Sequence, residues 1–147
     1  MSEVDRVREA GGVRDILFHM IDGAPEPVAP FSHATEIDGW VFVTGQMPTY
    51  PGKPEAPIPE GIEAQTRLVI DNLCRVLGGL SLSLSDVVRA GAYLTHFEED
   101  YATFNRIYRG FFDAGRLPAR TCIGVTALAR GARVEIDFIA RRRTLKS

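Results

Sequence analysis

At 147 residues the chain suits one domain with a buried core. Apolar residues make up 45% and charged residues 24%, with a formal net charge of −2 and a sequence pI of about 5.9. That balance is ordinary for a soluble globule and offers no basic field of the kind that draws in nucleic acid. No run approaches the ~20 apolar residues of a membrane span, and the charged start MSEVDRVREAGGVRD has no apolar signal core. Cys74 and Cys122 stand far apart, in no CxxC or Cys/His cluster, a usage that fits a reducing cytoplasm rather than a disulfide framework. His19, His33 and His96 are scattered, which argues against a zinc site.

Residues 3–21 read as a helix, broken at Gly11-Gly12, with Val4, Val7, Ile16, Leu17 and Met20 as its apolar stripe. The prolines of GAPEPVAP (23–30) end it and form a linker. Asp38-Gly39 lies between β-branched and aromatic residues and predicts a hairpin of strands near 33–37 and 40–44. Five prolines make 47–61 a loop. Thr66, Val69, Ile70, Leu73, Val76 and Leu77 recur at helical spacing and predict a helix over 62–78, ended by Gly78-Gly79. VVRAGAYLT (87–95) alternates as a strand, with Val88, Ala90, Ala92 and Leu94 on one face. A second helix with an aromatic stripe covers 98–114, and strands over 121–128 and 132–141 close the chain before a basic tail. The order predicts an α+β fold, one mixed sheet with both helices on one face. The other face would then carry apolar residues that one subunit leaves uncovered, which points to an oligomer.

Three places offer chemistry. Gly45 in TGQMP (44–48) follows a strand, where a missing Cβ permits close approach of a ligand, although a plain strand end is the commoner meaning. Arg120 in PARTC (118–122) begins an apolar strand and can grip a carboxylate with two parallel hydrogen bonds; on spacing alone a surface ion pair is the commoner use. In RVEIDFIA (133–140), Arg133, Glu135 and Asp137 share one face and Val134, Ile136 and Phe138 the other. The two acids can move a proton or place a water, and a solvated sheet face is the blander alternative. Cys122 has no histidine near it in sequence and reads as a buried, inert thiol, while His33 and His96 are pocket candidates whose commoner role is structural.

These places occur together, in order, in a wider frame. APFSHA (29–34), VFVTGQMP (41–48), EAQTRLVIDNLCRVL (63–77), DVVRAGAYLTHFEEDYATFNRIYRGFF (86–112) and PARTCIGVTALARGARVEIDFIA (118–140) resemble the successive motifs of the Rid (YjgF) family. The resemblance covers about 27–142 and is most specific at its end. It implies a Rid-like domain over 27–142, an N-terminal extension over 1–26 and a basic tail over 143–147. It also implies a chorismate-mutase-like fold, a homotrimer with ligand clefts between subunits, and hydrolytic deamination of small enamine or imine carboxylic acids to 2-oxo acids and ammonia, with no cofactor or metal. A non-catalytic trimer that binds such carboxylic acids is the alternative.

Carried over by position, Arg120 matches the arginine that binds the substrate carboxylate and Glu135 the acid that orients or activates water. Thr44 stands in place of the usual serine, Gly45 and Cys122 match backbone contacts to ligand, and Asn105 lies near the cleft. Phe31 stands where active relatives often have tyrosine, which favours a larger or more apolar substrate. ARGAR (129–133) replaces the family's "LP" turn.

Overall fold

The computed structural model describes residues 15–143. Its framework is a six-stranded mixed sheet of β1 (Leu17–His19), β2 (Ala34–Ile37), β3 (Trp40–Gln46), β4 (Val87–Leu94), β5 (Ala119–Gly124) and β6 (Val134–Arg141), in the order β1-β2-β3-β6-β4-β5. Only β4 and β5 run parallel; every other pair is antiparallel. The parallel pair needs a crossover, and helix α2 (Phe97–Arg109) supplies it. Helix α1 (Ile62–Gly79) makes the long connection from β3 to β4. Both helices pack on one face, as the sequence pattern predicts. Val69, Ile70, Leu73, Val76 and Leu77 of α1 join Phe104 and Tyr108 of α2 over Val41, Val43, Ala90, Ala92, Ile136 and Phe138 of the sheet.

The hairpin forms where expected. Asp38 and Gly39 both take positive φ, 51° and 81°, the pairing that a two-residue turn matched to strand twist requires. The segment 47–61 is a loop, stitched at both ends: the Asn72 amide donates to the Met47 and Thr49 carbonyls (3.0 and 2.8 Å), and the Gln65 amide to Pro59 (2.9 Å). These two buried side chains satisfy carbonyls that no strand or helix serves.

Four expectations need correction. Residues 17–19, read as helical, form β1, which pairs with β2 through Leu17–Glu36, Phe18–Thr35 and His19–Ala34. Sheet hydrogen bonds to a neighbour override a weak local stripe here, and Val4 and Val7 of that stripe lie outside the described residues. The start of β4 is out of phase with the predicted alternation. A bulge between Val87 and Arg89 turns Val87 inward and leaves Val88 exposed. Helix α2 stops at Arg109 rather than 114, and Phe111 and Phe112 reach the core from a turn. The fifth strand spans 119–124 rather than 121–128.

Glu36 is 2% exposed and anchors the far edge. Arg142 grips it with two nitrogens, each at 3.0 Å, and His19 approaches at 3.1 Å. Burial would raise this carboxyl, but the hydrogen bonds and charge of Arg142, then of His19, outweigh it and hold the group below the usual range. The other face of the sheet is open, with Phe18 69% exposed and Trp40 and Phe42 44% exposed. Among the described residues no helix is long and apolar enough to cross a membrane.

Candidate active site

Arg120 lies on β5, opposite Ala90 of β4, and therefore on the helix-covered side of the sheet. Its guanidinium donates to the Asn105 side-chain oxygen at 2.8 Å and sits 5.0 Å from the Tyr108 ring centroid and 5.4 Å from that of Phe104. Helix α2 thus gives one residue to aim the fork and two rings to bed it, a cation–π arrangement that limits the rotamers lost when an anion binds. The side chain lines a cavity of about 270 Å³ together with Asn105, Tyr108, Leu117 and Pro118. Tyr108 is pushed up to about 12 by burial, against the pull of Arg120, so its phenol stays protonated at neutral pH. Cys122, two residues further along β5, shares this face. Burial raises its thiol and Arg120 opposes that, which leaves a neutral thiol rather than a nucleophile.

Glu135 lies on β6, opposite Tyr93 of β4 in register, on the open face. Its strand alternates as predicted, with Val134, Ile136 and Phe138 buried and Glu135 and Asp137 half-buried. Burial, then the charge of Asp137, raises the Glu135 carboxyl above the usual range. Asp137 itself accepts a hydrogen bond from the Tyr93 hydroxyl at 2.8 Å. Gly45 stands over Glu135: a Cβ there would lie 2.6 Å from Oε2. Gly45 thus lies inside β3 rather than after it, and the group that approaches it closely is a side chain of the same chain. Thr44 donates its hydroxyl to the Ser32 carbonyl at 2.6 Å, and its N–H goes to His33 at 3.0 Å, so it pins the arm that carries Phe31. Phe31 and Thr44 line an open cleft with Phe18 and Phe42.

The predicted residues therefore fall into two groups. Arg120, Asn105 and Cys122 occupy the helix side at one edge of the sheet, and Glu135, Gly45, Thr44 and Phe31 occupy or border the open side. One of the sequence readings is corrected. Arg133 falls just before β6 and does not join Glu135; its guanidinium pairs with Asp100 at 2.7 Å and Glu99 at 3.1 Å on α2. His33 takes the commoner, structural role. It accepts from the Ile21 N–H and reaches the Pro25 carbonyl, both at 2.7 Å, as a buried structural residue. Sequence reasoning missed Tyr93 as the partner of Asp137 and Tyr108 as the bed of Arg120; the aromatic stripe of α2 was the available signal for the second. Among the described residues no group of three or more His, Cys, Asp or Glu side chains is gathered for a metal ion.

Comparison with known proteins places the chain in a family. A family model described as Endoribonuclease L-PSP matches residues 21–142. The chain belongs to that family, also called Rid or YjgF. Protein DfrA of Myxococcus xanthus is 39% identical over 121 residues, 81% of this chain and 90% of that protein. The 2-iminobutanoate/2-iminopropanoate deaminase of Mus musculus is 33% identical over 117 residues, 80% of this chain and 84% of that protein. The crystal structure of E. coli TdcF with bound serine is 30% identical, with a TM-score of 0.76 over 85% of this chain and 99% of that chain.

Proposed function

We propose that the protein hydrolyses 2-imino acids, and the enamines that tautomerise to them, to 2-oxo acids and ammonia. The observation that carries this is a pre-aimed arginine in one half of the site and a half-buried glutamate in the other. Arg120 is pre-aimed by Asn105 and two rings, and Glu135 is a half-buried carboxyl with a raised pKa under a glycine. Relatives named as imine deaminases support it, and the serine bound to TdcF is a small amino acid with a carboxylate.

The chemistry asks little of the protein. A protonated imine carbon beside a carboxylate is already electrophilic. Arg120 fixes the carboxylate through a bidentate fork. Glu135 takes a proton from water as its oxygen bonds to the imine carbon. That proton then passes to nitrogen, the C–N bond breaks to release ammonia, and the hydroxyl proton is taken up by Glu135 and handed to the ammonia as the carbonyl forms. One iminium and one water give one 2-oxo acid and one ammonium ion, with no redox change. Positioning and proton transfer suffice, the latter contributing about 10²–10⁴-fold.

One chain cannot perform this alone, because the core of the sheet separates Arg120 from Glu135. The complete site takes Arg120 from one copy and Glu135 from another, in a homotrimer whose subunits cover the apolar open face. We place the reaction in the reducing cytoplasm, in keeping with the free thiols of Cys74 and Cys122. An RNA-cleaving reading calls for a basic surface, and this chain carries a net charge of −2.

The test is a coupled assay in which an amino-acid oxidase generates 2-iminobutanoate and semicarbazide competes for it. The protein is expected to speed loss of the imine. If 2-oxobutanoate binds but no imine is consumed faster, the second reading, a non-catalytic carboxylate-binding trimer, replaces the first. Phe31, a ring without a hydroxyl beside Thr44, is the observation that favours that second reading.

The same assay reads the acid. Glu135 must be ionised to accept a proton, so kcat/KM falls as pH drops through its raised pKa. Asp137→Asn removes one of the two causes of that rise and keeps an acceptor for Tyr93. The acidic limb is expected to move to lower pH, short of the ordinary glutamate value because burial remains. A limb that stays in place or moves up removes Glu135 from the role of base.

A further inference from the structure

A separate cavity, of about 80 Å³, adjoins the Glu135 half of the site. Gly45 and Phe31 are common to both: Gly45 lies over the Glu135 carboxylate and lines the cavity, and Phe31 divides the cavity from the open cleft at Thr44. The remaining walls include Val28, Met47, Tyr50 and Pro54, so the interior is chiefly apolar. Its cover is the proline-rich loop. Asn72 and Gln65 hold the two ends of that loop, and Arg130 holds the middle, donating to the Pro54 carbonyl and, at 3.0 Å, to that of Ala56. Arg130 takes φ 61° and Gly131 φ 66°. A bulky residue adopts the left-handed region only where its surroundings over-determine it. Here the two carbonyls on the far loop provide that determination.

We propose that this cavity receives the side chain of the substrate and that Arg130 fixes its depth, so that the preferred substrate is a 2-imino acid with a branched aliphatic side chain. The inference rests on the imine-hydrolysis reading above. The placement follows from connectivity. The reacting carbon must lie beside Glu135, its carboxylate is drawn to Arg120, and the third substituent then faces the apolar space across Gly45 and Phe31. The walls favour a group without charge: they are chiefly apolar, Glu26 and Arg130 are their charged members, and Arg130 is already committed to the loop carbonyls. The volume sets the size. Apolar cavities of about 150 Å³ admit a benzene ring, and about 80 Å³ takes a short branched chain instead. Arg130 is a positioning residue in this scheme: it touches the loop and leaves the reacting atoms to others.

The experiment compares kcat and KM for the imines formed in situ from alanine, leucine and phenylalanine. For the wild-type protein the leucine-derived imine is expected to exceed the alanine-derived one in kcat/KM by about tenfold or more, the discrimination that apolar pockets achieve, and to exceed the phenylalanine-derived one. Arg130→Ala frees the middle of the loop, and Val28→Trp narrows the mouth from an exposed position without burdening the fold. Each is expected to cut the leucine-to-alanine ratio by about tenfold, through KM for the leucine-derived imine. Arg130→Lys, which keeps one donor for the loop, restores part of the ratio. A wild-type ratio near or below one, or a ratio that neither Arg130→Ala nor Val28→Trp moves, overturns the proposal while leaving imine hydrolysis standing. Hydrolysis of none of the three imines overturns the underlying reading and this inference with it.

Discussion

Arg120→Ala is expected to lower kcat/KM for 2-iminobutanoate hydrolysis by about 10²–10³-fold, with the fold and the oligomer intact. Truncating one partner of a desolvated, hydrogen-bonded charge pair costs about 2–5 kcal/mol, and each 1.4 kcal/mol is tenfold. The structural loss is smaller. Arg120 gives up one hydrogen bond to Asn105 and its contacts with the Phe104 and Tyr108 rings, each worth on the order of 1 kcal/mol. Activity should therefore fall far more than thermal stability, and the two are separated by running the coupled assay beside a melting curve and a sizing column. Arg120→Lys keeps the charge and loses the planar fork, so it should recover only part of the activity. A folded Arg120→Ala protein with unchanged kcat/KM would falsify the carboxylate-clamp role.

Gly45→Ala should be almost as damaging, by a different route. The new Cβ would lie 2.6 Å from Glu135 Oε2 and 3.0 Å from its carboxyl carbon. Those atoms end a flexible side chain, so they move and the backbone stays. The glycine is outside the positive-φ positions, and alanine imposes no backbone strain there. The methyl group therefore displaces the carboxylate by something like an ångström, and a misplacement of that size costs about 10²-fold. Because the Arg120 half is untouched, the loss is expected in kcat rather than KM. Glu135→Gln serves as the reference, since it removes the base without moving it. If Gly45→Ala is inactive while Glu135→Gln retains activity, the acid that handles water lies elsewhere.

Together these two substitutions probe the same architectural fact from its two ends. Arg120 and Glu135 sit on opposite sides of one sheet, each held by its own neighbours. Mixing inactive Arg120→Ala and Glu135→Gln subunits is the natural extension, because a site shared between copies regains activity wherever an intact half from each meets.

The sequence by itself determined the elements whose cause is local. Asp38-Gly39 makes a hairpin because two successive residues must take positive φ, and this pair does so cheaply. Helix α1 forms where six residues recur at its period, and β6 exposes Glu135 and Asp137 because side chains alternate along a strand. Residue type and spacing singled out Arg120, Glu135 and Gly45 as candidates, and the motif resemblance attached roles to them. The tertiary structure alone decided the rest. Leu17–His19 is a strand because β2 offers it hydrogen bonds, which no window of sequence contains. One bulge at the start of β4 reversed a face that alternation had assigned. Alternation gives the parity of residues within a strand, but the parity between β5 and β6 depends on their registers with β4. For that reason only the folded sheet shows Arg120 and Glu135 on opposite faces, and only the fold brings Arg130 to the carbonyls of a loop 74 residues away in sequence.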